Sequence, residues 1–127
     1  MTKPKTNRLG DLQLKIMQVL WDRSEARVAE VHKSLGESDF AYTTVATMLR
    51  KMEERGLVAH RDEGRSFVYR AKVAADEVTR SMADHLVDRL FEGSLAGMVS
   101  HLLRTREVSQ EELTQLERLI GERKRRA

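Results

Sequence analysis

After Pro4 the chain carries no further proline to its end at Ala127. No later residue is therefore barred from a helix by a missing amide hydrogen. Apolar residues at helical spacing then mark helices along most of the length. Leu12, Ile16, Val19 and Leu20 share one face, with Asp11 in a capping position and Trp21 closing the stretch. Val28, Val31, His32 and Leu35 follow at i, i+3, i+4 and i+7, and Gly36 stands where a helix C-cap belongs. After a link over 36–40, Val45, Met48, Leu49 and Met52 repeat the spacing up to Gly56. Val78, Met82, Leu86 and Leu90 form a fourth stripe, broken at Gly93. Ser94 caps a fifth helix with Leu95, Met98, Val99, Leu102 and Leu103 on its apolar face. Ser109 and Glu112 form a capping box ahead of Leu113, Leu116 and Ile120.

One segment breaks the helical rule. From Leu57 to Arg70, β-branched and aromatic residues alternate on either side of Asp62-Glu63-Gly64-Arg65, which predicts a β-hairpin with glycine in its turn. The expected fold is mainly α with a small β-hairpin wing. A winged helix-turn-helix occupies 11–72 and a helical dimerisation region 73–122, between a flexible basic arm at 1–10 and a basic tail at 123–127. Leu, Ile, Val and Phe make up 31 of the 127 residues. This exceeds the roughly 20 % below which chains tend to stay disordered, so a core is available. With no cysteine, a disulfide scaffold, a cysteine-ligated metal and a thiol nucleophile are excluded. No apolar run approaches the ~18 residues of a membrane span, and none follows the basic N-terminus as in a signal peptide, so the expected compartment is the cytoplasm.

The third helix carries the chemistry. With Val45 at zero on a helical wheel, Met48, Leu49 and Met52 fall within about 60° of it and form the core face, while Thr43, Thr47, Arg50 and Glu54 lie about 140–200° away. Thr44 and Lys51 flank that outer face, and Tyr42 stands at its amino end. Threonine hydroxyls bond base edges, their methyls pack on thymine, and Arg or Lys bind phosphate or guanine. The slim threonines let such a helix sink into a major groove. Glu53 and Glu54 disfavour phosphate, so the carboxyl end should point away from a duplex. Arg65, beside the turn glycine, is placed to follow the minor groove, and Lys3 to Arg8 add cations.

These strings resemble the penicillinase-repressor family, the BlaI/MecI/CopY type of bacterial winged-helix repressors. The resemblance rests on LGDLQLKIMQVLW (9–21), RVAEVHKSL (27–35), AYTTVATMLRKMEERGLVAHRDEGRSFVYRA (41–71) and LVDRLFEGSLAGMVSHLL (86–103). It implies a homodimeric repressor on inverted-repeat operators of resistance or stress genes, β-lactamase-type regulation among them. The matched reading positions are Thr43, Thr44, Ala46, Thr47, Arg50 and Lys51, and the C-terminal helices make the dimer. It also implies relief of repression through a sensor-linked protease that cuts an Asn-Phe bond. His101-Leu102 occupies that place here, which departs from the pattern, as does Tyr69-Arg70-Ala71-Lys72 after the wing. The cysteine metal site of the copper-responsive branch is excluded.

The apolar stripes favour dimerisation independently. Leu95, Met98, Val99, Leu102 and Leu103, with Leu113, Leu116 and Ile120, are the residues expected to meet their equivalents in a second copy. The net charge of +3 resolves into blocks: +3 over 1–10, −2 over 11–40, +2 over 41–70, −4 over 71–122 and +4 over 123–127. The third helix and wing are thus positive, and the expected dimer body acidic. No enzyme signature emerges. His32, His60, His85 and His101 lack metal-site spacing, no phosphate loop is present, and no cofactor is expected. His32 is expected to pack on its apolar face. Two other readings keep the fold. One is a regulator released by a small effector held near His85, Ser100 and His101. The other is a winged-helix protein-interaction module that leaves DNA alone.

Overall fold

The computed structural model describes residue 6 and residues 8–127; Lys3 and Lys5 of the expected arm lie outside the described residues. Helix α1 spans Asp11–Arg23, and its N-cap is Gly10, not Asp11. Gly10 keeps an extended backbone, and its amide donates to Gln13 Oε1 at 2.9 Å, while Asp11 takes the first helical position. There its carboxylate still complements the helix dipole. Nor does Trp21 end the helix. Its indole Nε1 turns inward and donates to the Val73 carbonyl at 2.9 Å, pinning the chain beyond the wing to α1.

A short strand, β1 (Glu25–Arg27), leads into α2 (Val28–Leu35). The Arg27 amide donates to Glu30 Oε1 at 2.9 Å, closing the first turn of α2. That bond, with the nearby Arg23 and Arg27 charges, holds the Glu30 carboxyl below the usual carboxylate range. The link to α3 (Tyr42–Glu54) is held from two sides. His32 Nε2 donates to the Phe40 carbonyl at 2.7 Å, and the Lys15 ammonium lies 5.7 Å from the Phe40 ring centre. Helix α3 ends in a Schellman arrangement: Gly56, at φ +81°, donates to the Glu53 carbonyl at 3.0 Å, and Leu57 to that of Met52 at 3.0 Å. Met52 and Leu57, the apolar pair that accompanies this motif, are both fully buried.

Strands β2 (Val58–Glu63) and β3 (Ser66–Ala71) form the expected hairpin around Gly64-Arg65. Gly64 has φ +67°, as a two-residue turn with glycine at its first central position demands. The sheet is three-stranded, with antiparallel order β1-β3-β2. β1 pairs Ala26 with Tyr69, and β2 pairs His60 with the same residue. Beneath the sheet lies one core: Ile16, Met17 and Leu20 of α1, Val31 of α2, Val45, Leu49 and Met52 of α3, Leu57, Val58 and Tyr69 of the wing, then Val73 and Val78. Helix α4 (Ala75–Phe91) buries Val78, and Met82 packs against the core.

Packing divides the chain into two units, one ending at Leu86 and the other covering Val87–Ala127. In the second, α5 (Leu95–Thr105) is capped by Ser94 Oγ, which accepts from the Gly97 amide at 2.9 Å. Helix α6 (Gln110–Arg126) is capped by Ser109 Oγ, which accepts from the Glu112 amide at 3.1 Å. The basic run Arg123–Arg126 forms the last turn of α6, where cations complement the carbonyl end of a helix. Neither α5 nor α6 contains a buried residue, and no α5 Cα lies within 8 Å of one in α6.

Candidate nucleic-acid interface

Helix α3 sorts its residues as its apolar spacing requires. Val45, Leu49 and Met52 point into the core and anchor the helix, and the opposite face is thereby held outward. Thr43, Thr44, Thr47, Arg50 and Lys51 are exposed, and Ala46 is half-buried between the two faces. Tyr42, at the first turn, is 49 % exposed and meets the His32 ring edge-on at 5.7 Å. Among the described residues, no side-chain hydrogen bond or ion pair engages Thr43, Thr44, Thr47, Arg50 or Lys51. Thr43, Thr44, Thr47, Met48 and Lys51 line a shallow depression on this face. A helix surface with small hydroxyl side chains, two uncommitted cations and no acid in its first turn suits a groove edged with phosphates and base acceptors.

The wing lies in the same unit. Arg65 is exposed at the hairpin turn, and among the described residues no ion pair ties it down. Arg8 is exposed as well. Between wing and helix runs a groove of about 250 Å³, lined by Arg27, Val28, Ala29, Tyr42, Arg65, Ser66 and Phe67. Nothing in the sequence singled out Arg27 and Phe67 as lining this groove. Arg27 is brought there by β1 pairing with β3, and Phe67 by the hairpin register, which sets it opposite Asp62 near the tip.

The outer face of the sheet carries an ion-pair lattice. Arg61 bonds Glu63 at 2.6 Å and Glu25 at 2.8 Å, while Arg27 bonds Glu63 and the Ser66 hydroxyl, each at 3.1 Å. Hydrogen bonds to Glu25 and Glu63 raise the Arg61 pKa further above its ordinary value. Val68 pairs in register with both Arg27 and Arg61 and is only 5 % exposed. The long stems of the two arginines flank it, so the lattice works as apolar cover and as a brace. Each pair is half-exposed and contributes little singly.

On the inner face, Glu53 turns from α3 to the hairpin. Its carboxylate accepts from the His60 amide at 3.1 Å and from His60 Nδ1 at 2.7 Å. The His60 ring stacks on Phe67, with centres 4.1 Å apart and planes at 23°. Burial, then the Glu53 charge, raise the neighbouring Tyr69 hydroxyl above its ordinary pKa, against a smaller effect of Arg50. Of the two acids that sequence alone set against phosphate, Glu53 is thus committed to the hairpin, and Glu54 remains exposed.

In the second unit, Leu95, Leu103 and Ile120 are 63 %, 43 % and 55 % exposed. With Ala96 and Val99 they line a groove of about 600 Å³, to which Ser100 and Arg104 add the polar side chains. Leu102 and Leu116 line a smaller one of about 180 Å³ with Val99, Leu103 and Val108. Met98 and Leu113 are half-buried. His101, exposed, and Leu102, half-buried, sit within α5, and the His101 carbonyl accepts from the Thr105 hydroxyl at 2.9 Å. Among the described residues, no three or more His, Cys, Asp or Glu side chains gather as a metal site would need, and no helix is long and apolar enough to cross a membrane.

The profile of the penicillinase repressor family matches residues 9–122. The penicillinase repressor of Bacillus licheniformis is 30 % identical over 123 residues, covering 96 % of each chain. The transcriptional regulator BlaI of Mycobacterium tuberculosis is 33 % identical over 121 residues, covering 93 % of this chain and 86 % of that one. Among solved structures, the DNA-binding domain of the repressor BlaI superposes with a TM-score of 0.52 at 31 % identity, over 61 % of this chain and 93 % of that domain. A MarR variant from E. coli, solved with operator DNA, superposes with a TM-score of 0.54 over 90 % of this chain and 74 % of its own; at 14 % identity it speaks to the fold alone.

Proposed function

The chain belongs to the penicillinase repressor family, a family of transcriptional repressors and not of enzymes, and from that premise we propose that it is a homodimeric, sequence-specific repressor of an inverted-repeat operator. The observation that carries this reading is the uncommitted polar face of α3 beside an uncommitted Arg65. Thr43, Thr44, Thr47 and Arg50 read base edges in the major groove, with Ala46 allowing close approach. Lys51, Tyr42 and Arg8 meet the sugar–phosphate backbone, and Arg65 follows the minor groove. The apolar, unburied faces of α5 and α6 support assembly with a second copy. Two-fold pairing sets the recognition helices one DNA turn, about 34–36 Å, or a multiple of it apart. The regulated genes are of the resistance or stress type. The α5–α6 groove is apolar over most of its lining and favours a protein surface over a polar effector. Relief by a sensor-linked protease at His101-Leu102 requires α5 to unwind first, because both residues are helical.

Two substitutions test the assignment by footprinting and salt titration. Thr47→Val keeps the shape of the side chain and removes its hydroxyl. Selectivity at one operator position, normally about 1–3 kcal/mol per base pair, should collapse while the other positions keep theirs. Arg65→Ala should weaken specific and unrelated duplexes alike and reduce the salt slope by about 1. Unchanged footprints and slopes in both variants would remove these faces from the interface.

A further inference from the structure

We propose that Glu53 and His60 are positioning residues for duplex recognition: their clasp fixes the tilt of the wing against α3 and so determines where Arg65 stands. The proposal rests on the DNA-binding reading and adds to it a pair that itself need touch no DNA.

The hairpin leaves α3 through the Gly56-Leu57 corner, and its tip at Gly64-Arg65 lies at the far end of the six-residue strand β2. At about 3.3 Å per residue this is a lever of roughly 20 Å, so a tilt of about 10° moves the tip by roughly 3 Å. A displacement of that size is enough to lose a hydrogen bond to phosphate. The corner itself is built from backbone bonds near the pivot. The clasp acts further out. Glu53 in the last turn of α3 holds the third residue of β2 through two donors, the His60 amide at 3.1 Å and Nδ1 at 2.7 Å. The imidazole in turn stacks on Phe67 at 4.1 Å. Phe67, Tyr42 and Arg65 line one groove. A continuous line of contacts therefore runs from the end of the reading helix, through the imidazole, to the wall beside the wing arginine. The side chains of Glu53 and His60 are 29 % and 27 % exposed, so their bond is better shielded than the outer ion pairs. Its position also differs from theirs: the Arg27–Glu63 and Arg61–Glu25 bridges join strands to one another, whereas the Glu53–His60 bridge joins the sheet to α3.

The test uses the full chain and a duplex enriched by the wild type from a random-sequence library, with affinity read by fluorescence anisotropy at fixed salt. Glu53→Ala should weaken binding about tenfold, and Glu53→Gln, whose amide oxygen still accepts from both His60 donors, should stay within about threefold of wild type. In an Arg65→Ala background, Glu53→Ala should cost less than about twofold, because the misplaced group is already gone. A thermal midpoint for each variant shows the folded fraction under the binding conditions. Wild-type affinity for Glu53→Ala overturns the proposal, and so does an equal loss in both backgrounds, which marks a general structural role. If the wild type enriches no duplex, the DNA-binding reading itself falls, and this proposal with it.

Discussion

Replacing Leu103 by aspartate is expected to leave a folded, monomeric chain whose affinity for a complete operator is at least about a hundredfold weaker. Leu103 belongs to no core: it is 43 % exposed, in a unit whose helices α5 and α6 bury nothing. An exposed leucine lining an apolar groove with Leu95, Val99 and Ile120 has little to lose within its own chain. In a two-fold interface the change is felt twice, and each carboxylate must be desolvated without a partner. The loss on DNA follows from linkage. When one half-site is bound, the second binds at a high effective concentration, and this avidity is commonly worth 10²–10⁴. Sedimentation equilibrium and footprinting on full and half operators check both parts. A Leu103→Asp chain that remains dimeric with wild-type affinity would move the interface away from this face of α5.

The second large effect is on stability. Leu49→Ala should cost about 2–5 kcal/mol, the range for a leucine removed from a core that cannot collapse around the void. Leu49 is fully buried on the inner face of α3, in a cluster joining α1, α2, α3 and the wing. Such a loss is a large share of the roughly 5–15 kcal/mol that holds a domain together. Two residues earlier, on the opposite face, Thr47→Ala should stay within about 0.5 kcal/mol. Urea unfolding of both variants, read by circular dichroism, separates them: a shifted midpoint for Leu49→Ala and a nearly unmoved one for Thr47→Ala. Equal shifts would mean that α3 is not seated as described.

Much of this was legible in the sequence because α3 obeys one periodicity. The same spacing that buries Val45, Leu49 and Met52 forces Thr43, Thr47 and Arg50 outward, so core and exposed polar face are a single inference. The hairpin followed from alternation around a glycine turn, α4 from its apolar stripe, and α5 and α6 from their serine caps. What escaped was set by contacts distant in sequence. β1 is three residues long, too short for any period, and exists because Glu25, Ala26 and Arg27 pair with Arg70, Tyr69 and Val68. The cap of α1 went to Gly10 because Gln13 reached back to its amide, a choice that left Asp11 free for the first turn. Glu53 read as a charge unwelcome near phosphate, since nothing local announces that His60, seven residues on, folds back to meet it. Arg27 and Phe67 entered the groove by the same route: pairing register, which only the assembled sheet determines.

The sheet also constrains what the molecule does in a crowd. It has two open edges, and neither is a good template for another strand. β1 offers three residues, and β2 presents the exposed charges of Arg61, Asp62 and Glu63. An incoming strand would find too few backbone partners on one side and a charged border on the other. Growth by adding strands from neighbouring molecules is therefore blocked in the first unit. Self-association is left to helical faces, and a two-fold pairing of these closes on itself and does not extend into fibres.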